Sequence, residues 1–225
     1  MKTTMSFKQD AVIIEANGEH KASVIWLHGL GADGHDFESI VPEMNLSDDL
    51  GIKFIFPNAP IRPVTINNGM AMRAWYDVKS ANLREIEDVE AITKSDELIT
   101  QYIDAEIAAG ISANKIILAG FSQGGAITLH TGLRYPQALA GLLALSTYLP
   151  LPNQLETEAS KHKDIPIMMA HGIADPIISV DQGRSSCQML QEQGYTVEWL
   201  EYAMQHSVCL EEIEAIAVWI KKLLA

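Results

Sequence analysis

The sequence predicts an α/β protein built on a mostly parallel sheet with helices on both faces. Three observations carry this expectation. Short apolar runs alternate with helical patterns along most of the chain, the pattern of strand-helix-strand units. Helix-stop residues stand where such units need them, with Gly110, Pro136 and Gly194 just past helical stretches. At 225 residues, 48% hydrophobic and 20% charged, the chain is long enough to bury a sizeable core as one domain spanning 1–225.

Taken in order, Ala11–Glu15 reads as an extra strand at the start, antiparallel to the rest. Val24–His28 and Ile52–Pro57 are apolar runs of strand length. Asn58–Leu83 shows neither a strand nor a helix period and is rich in Pro, Asn and Met. Its Pro, Asn and Gly content speaks against a regular ladder, while Ile61, Val64, Ile66, Met70, Met72 and Trp75 speak against disorder. A flap over a pocket is the expected role, with Met70, Met72 and Trp75 packed on the pocket wall or on a substrate. Val89–Ala109 places Val89, Ile92, Ile99, Ile103 and Ile107 on one helical face opposite its acids. Strand Lys115–Ala119 and helix Gly125–Tyr135 follow, then strands Gly141–Ser146 and Ile165–His171. Helix Val180–Gln193, strand Thr196–Tyr202 and helix Cys209–Leu224 complete the pattern.

Composition narrows the function classes. The net charge is −13, with acids crowded between Glu85 and Glu106, a surface that repels phosphate backbones and anionic headgroups. Nucleic acid is not an expected partner. No apolar run approaches membrane-spanning length, so integral membrane association is not expected either. Met1–Asp10 is polar and lacks the apolar core of a secretory signal, which points to the cytoplasm. Cys187 and Cys209 are too few for a disulfide framework, lack metal-ligand spacing, and read as free thiols.

The chemistry concentrates at Gly120-Phe121-Ser122-Gln123-Gly124, set between an apolar strand and a helix. A serine held on a sharp strand-to-helix turn crowds the residues two before and two after it, and glycine has no Cβ to clash there. The Ser122 hydroxyl is thereby lifted out at the strand end, and the Gln123 N–H at the helix head is free to face a developing oxyanion. A serine needs a base, and the base needs a group that fixes its tautomer. In this topology both should follow the serine in the chain at later strand ends. Asp175 lies just past strand Ile165–His171, and His206 lies four residues past Tyr202. Asp181 is the rival acid, although it also suits a helix first turn; Asp175 is nearer the strand end and is preferred. His28, His130, His162 and His171 fit the base less well, and His35 precedes the nucleophile. A second oxyanion donor is expected after an early strand, where Gly29-Leu30-Gly31 makes the Leu30 N–H the candidate. The same glycines could cradle a phosphate, but neither Gly-Lys-Ser/Thr nor G-x-G-x-x-G is present.

Several segments together resemble the carboxylesterase/acyl-protein thioesterase branch of the α/β-hydrolases, in its bacterial form. They are Trp26–Gly31, Arg62–Thr65, Met72–Asp77, Gly120–Gly125, Leu145–Pro150, His171-Gly172 with Asp175, and Met204–Val208. The resemblance implies an α/β-hydrolase fold, a triad of Ser122, Asp175 and His206, and Leu30 and Gln123 as oxyanion donors. It also implies that Trp75 and its surroundings border the acyl pocket, and that Leu149 and its neighbours help to line it. Gln205 departs from the Gly that often precedes the histidine in such proteins, a change that bears on the loop and not on the chemistry. The expected function is that of a serine esterase, needing neither metal nor cofactor, that acts on carboxylic esters or thioesters of short to medium acyl chains. Its partners would be small-molecule or lipid acyl esters or acylated proteins, with a homodimer as one assembly open to it. Lysophospholipase or acyl-protein thioesterase action would share every catalytic residue. A hydrolase-fold protein that binds without turnover is the remaining alternative.

Overall fold

Strand segments rich in Ile, Leu, Val and Ala form a seven-stranded sheet in the order β1-β3-β2-β6-β7-β8-β9. The computed structural model of the chain describes residues 10–80, 83 and 85–225. The strands are β1 (Ala11–Ile14), β2 (Ala22–Leu27), β3 (Ile52–Pro57), β6 (Ile116–Phe121), β7 (Gly141–Leu145), β8 (Ile167–Gly172) and β9 (Val197–Tyr202). All neighbours run parallel except β1, which pairs antiparallel with β3 through Val12 opposite Phe56. The antiparallel first strand is thus as expected.

Alternation along each strand feeds two cores. Val24 and Trp26 of β2 and Ile117 of β6 point to one face, where Ile216, Trp219 and Ile220 of α6 (Leu210–Leu224) cover them. Ile25, Leu27 and Leu118 point to the other. There α2 (Val89–Ala108), α3 (Gln123–Arg134) and α5 (Val180–Glu192) supply Ile92, Ile103, Leu129 and Leu190. A parallel sheet must be covered on both faces because its strands are apolar on both. Short helices α1 (Ile40–Glu43) and α4 (Pro152–Glu158) complete the set, and neither was expected from periodicity.

The segment Asn58–Leu83 departs from expectation. It contains a hairpin, β4 (Ile61–Val64) paired antiparallel with β5 (Met70–Arg73), so a regular ladder does form. Asn68 and Gly69 both take positive φ, 55° and 74°, and the Gly69 N–H donates to the Val64 carbonyl to close the turn. Asn-Gly is the pair that tolerates such angles, and Pro63 is admitted because a two-stranded ladder is all edge. Asp77 then anchors the turn, accepting from the Thr65 N–H at 2.7 Å and its hydroxyl at 2.6 Å. Residues 81 and 82 of this segment lie outside the described residues.

One buried carboxyl makes stability depend on pH. Glu212 in the first turn of α6 is 1% exposed, and no side chain among the described residues bonds its carboxyl. Burial pushes its carboxyl up to about 8 from 4.5, offset only in part by the Cys209 backbone. Between those two values the folded chain holds a proton that the unfolded chain has lost. Stability therefore falls as pH rises through that window, at up to about 1.4 kcal/mol per unit for this one group, and levels off above it. Urea melts at pH 5 and pH 8.5 should show this loss in the parent protein and a smaller one in Glu212→Gln. An equal loss in both would place the sensitivity elsewhere.

Candidate active site

The parallel strands bring four loops to one sheet edge, at the ends of β2, β6, β8 and β9. Ser122 stands between β6 and α3 with φ 55° and ψ −119°, a strained conformation for a residue with a Cβ. Its surroundings hold the strain. The Ser122 N–H donates to the Leu145 carbonyl at 2.8 Å, and its carbonyl accepts from the Thr147 hydroxyl at 2.6 Å. The flanking glycines are needed for room. A Cβ on Gly120 would sit 2.4 Å from the Gly124 carbonyl, and one on Gly124 would sit 2.4 Å from that of Leu27.

The structure brings Ser122, His206 and Asp175 into one chain of hydrogen bonds. His206 Nε2 lies 2.9 Å from Ser122 Oγ, and His206 Nδ1 lies 2.6 Å from Asp175 Oδ2. A carboxylate only accepts, so the ring proton sits on Nδ1 and the Nε2 lone pair faces the serine hydroxyl. Asp175 is itself fixed, its Oδ1 accepting the N–H groups of Ile177 at 2.8 Å and Ile178 at 2.9 Å. Asp181 instead pairs with Arg184 on the α5 surface, 2.9 Å away. Gly172 lets the β8 end approach the histidine loop, because a Cβ there would lie 2.2 Å from the Gln205 carbonyl. Phe121 packs its ring 4.7 Å from that of His206, a contact no sequence pattern indicated.

Leu30 and Gln123 stand at the same cavity as the serine. Neither backbone N–H is engaged in a hydrogen bond among the described residues. Both residues line, with Ser122, a cavity of about 350 Å³, within the size range of small-molecule sites. Ile66, Val78, Leu83 and Ile177 give it apolar walls, and Tyr76 and Tyr148 close one side with their hydroxyls 2.9 Å apart. The segment Asn58–Leu83, expected as a flap over a pocket, supplies part of the wall through Ile66, Tyr76, Val78 and Leu83. A slightly larger hollow beside Lys21 and Lys115 sits at the opposite end of the strands, among none of these groups.

Four residues expected on the pocket wall do not line this cavity: Met70, which is 65% exposed on β5, and Trp75, Met72 and Leu149. Trp75 is fully buried and points away from the cavity, its indole N–H donating to the His28 carbonyl at 2.9 Å. Its backbone N–H donates to Gln123 Oε1 at 2.8 Å, and its carbonyl accepts from the Ser95 hydroxyl. Met72 lies under the Gly31 loop, its Sδ 3.6 Å from where a Gly31 Cβ would be. Leu149 faces α5, with its N–H donating to the Ser186 hydroxyl at 2.9 Å, and borders a separate hollow with Leu155 and Met189. In both segments it is the neighbour that lines the cavity, Tyr76 beside Trp75 and Tyr148 beside Leu149. Successive side chains leave an extended backbone on opposite sides, so a one-residue slip moves a side chain off the wall.

The remaining histidines are occupied or remote. His28 accepts the Ala59 N–H at Nε2 and donates from Nδ1 to the Gly29 carbonyl, and burial lowers its pKa. His130 is buried inside α3 and lowered to about 3 by that burial. His35 pairs with Glu38 on the surface.

A family model described as Phospholipase/Carboxylesterase matches residues 8–224. The chain belongs to that family. Among curated relatives of this chain is acyl-protein thioesterase 1 of Neurospora crassa, 40% identical over 219 residues, covering 93% of this chain and 89% of that protein. Acyl-protein thioesterase 1 of Schizosaccharomyces pombe is 42% identical over 175 residues, 77% of each chain. Arabidopsis thaliana SOBER1 superposes with a TM-score of 0.86 at 33% identity, covering 91% of this chain and all (100%) of that one. Zea mays acyl-protein thioesterase 2 superposes with a TM-score of 0.85 at 29% identity, covering 97% of this chain and 100% of that one. The fold is that of the α/β-hydrolases, and this member of the family is a hydrolase. Among the described residues no helix is long and apolar enough to cross a membrane.

Proposed function

We propose that this family member is a serine esterase that cleaves carboxylic esters and thioesters of short to medium acyl chains through an acyl-enzyme. One observation carries the reading: the Ser122–His206–Asp175 chain, with contacts of 2.9 and 2.6 Å, opens onto an apolar cavity of about 350 Å³. Ser122 Oγ attacks the acyl carbon while His206 Nε2 takes its proton. The carbonyl oxygen becomes an oxyanion received by the Leu30 and Gln123 N–H groups, each strong donor lowering the barrier by about 3–4 kcal/mol. His206 returns the proton to the departing alcohol or thiol. Water then repeats the sequence on the acyl-enzyme and frees the acid, while Asp175 stabilises each transient imidazolium.

The names of the relatives favour the thioester side of this range, with an acylated protein as acyl donor. Lysophospholipid cleavage uses the same groups. A panel of acetyl, butyryl and octanoyl oxygen esters, the matching thioesters and a lysophospholipid separates these readings. The proposal expects turnover of both ester types. No turnover of any acyl donor by the folded protein would reject it in favour of a binding role.

The cavity wall sets acyl length on this reading. Ile177 is 63% exposed at the cavity rim, so a larger side chain there should not disturb the core. Ile177→Trp should lower kcat/KM for octanoyl relative to acetyl esters by about tenfold or more, the scale of losing one to two methylene contacts. An unchanged ratio would mean that acyl chains lie elsewhere.

A further inference from the structure

His171, at the end of β8, stands beside Asp175 and is fully buried, yet the mechanism above gives it no part. Its Nε2 is 2.8 Å from the Ile178 carbonyl and 3.4 Å from Asp175 Oδ2. A carbonyl only accepts, so the ring carries its proton on Nε2 and directs that N–H between the two oxygens. Nδ1 is buried with no partner among the described residues. A second proton would have no acceptor there, in keeping with the downward pKa shift that burial imposes. The groups facing the ring are Asp175 from the acid loop, His206 from the β9–α6 loop, and Glu201 and Trp199 from β9. From α5 the neighbour is Gly183, where a Cβ would lie 2.5 Å from Nδ1, so the helix presses closely on the ring.

The Ile178 peptide links these contacts. Its N–H donates to Asp175 Oδ1 and its carbonyl accepts from His171, so the ring and the carboxylate hold the same turn from two sides. That turn also carries Ile177 and Ile178 into the cavity wall. We propose that His171 is a positioning residue for the acid of the triad, its Nε2–H clamping the Asp175–Ile178 turn so that Oδ2 meets His206 Nδ1. The proposal rests on the reading of Ser122, Asp175 and His206 as the catalytic triad.

His171→Leu removes the donor and keeps much of the volume, whereas His171→Gln carries an amide N–H toward the same carbonyl. On an acetyl ester His171→Leu should lose on the order of 10–100-fold in kcat with KM little changed, the scale on which supporting hydrogen bonds act. His171→Gln should recover most of that loss. The low-field proton resonance of His206 Nδ1 should move upfield in the Leu variant and return in the Gln variant. A merely structural histidine would instead lower the melting temperature and leave kcat and the proton resonance unmoved below it. Folded His171→Leu with parental kcat, or Leu and Gln variants equally impaired, would overturn the proposal. Should His171→Leu not fold, Gly183→Ala tests the same clamp by pushing the ring: a fall in kcat supports it, and an unchanged kcat overturns it. Ser122→Ala serves as the control. If it remains active, the triad reading itself has failed; if it is inactive while His171→Leu is normal, only the positioning role has.

Discussion

Ser122→Ala should leave a folded protein whose kcat on any acyl ester is lower by on the order of 10⁴–10⁶. The size follows from how the site divides the work. Without Oγ there is no acyl-enzyme, and His206 has no nucleophilic hydroxyl to deprotonate. The fold should persist, or gain slightly, because Ser122 holds φ 55° and ψ −119° to present its hydroxyl to the cavity and not for core packing. Circular dichroism and a melting curve, run beside the activity measurement, separate lost chemistry from lost structure. Retention of more than a few per cent of activity would mean that another group is the nucleophile.

Trp75→Ala should act in the opposite way, on the fold more than on the choice of acyl chain. The indole is fully buried and its ring centroid lies 5.3 Å from that of His28. Removing a buried large aromatic side chain costs about 3–5 kcal/mol, and here the His28 carbonyl also loses its donor. For a chain of this length that corresponds to a fall in melting temperature of roughly 6–20 °C. Trp75 joins the two halves of the proposed oxyanion site: its indole N–H holds the His28 carbonyl ahead of the Leu30 loop, and its backbone N–H and the Tyr76 carbonyl hold the Gln123 side chain. The surviving folded fraction should therefore show reduced kcat for every ester with the ranking of acetyl, butyryl and octanoyl unchanged. A normal melting temperature with a reordered ranking would restore Trp75 to the pocket wall.

How far the sequence could be read follows from which features are local. The strands were legible because residues such as Ile25, Leu118 and Leu143 sit in short apolar runs bounded by glycine, proline or polar residues. The grouping of Ser122, Asp175 and His206 was legible because each stands just past a strand, and parallel strands deliver their ends to one edge. The hairpin was hidden because Pro63 and the methionines blur the alternation of β4 and β5, although Asn68-Gly69 was a usable turn signal. The pocket wall was less legible, since a shift of one residue decides whether Tyr76 or Trp75 faces the cavity. The part proposed for His171 was not legible for a similar reason. In sequence it is only the end of a strand before a glycine, and its link to Ile178 depends on how the chain turns after Asp175.

The most direct measurement is the site of covalent capture by a fluorophosphonate, located by peptide mass mapping. The account predicts one adduct per chain, on Ser122, absent in Ser122→Ala and much slower to form in His206→Gln. An adduct on a different residue, or no adduct from a preparation that hydrolyses esters, would contradict it.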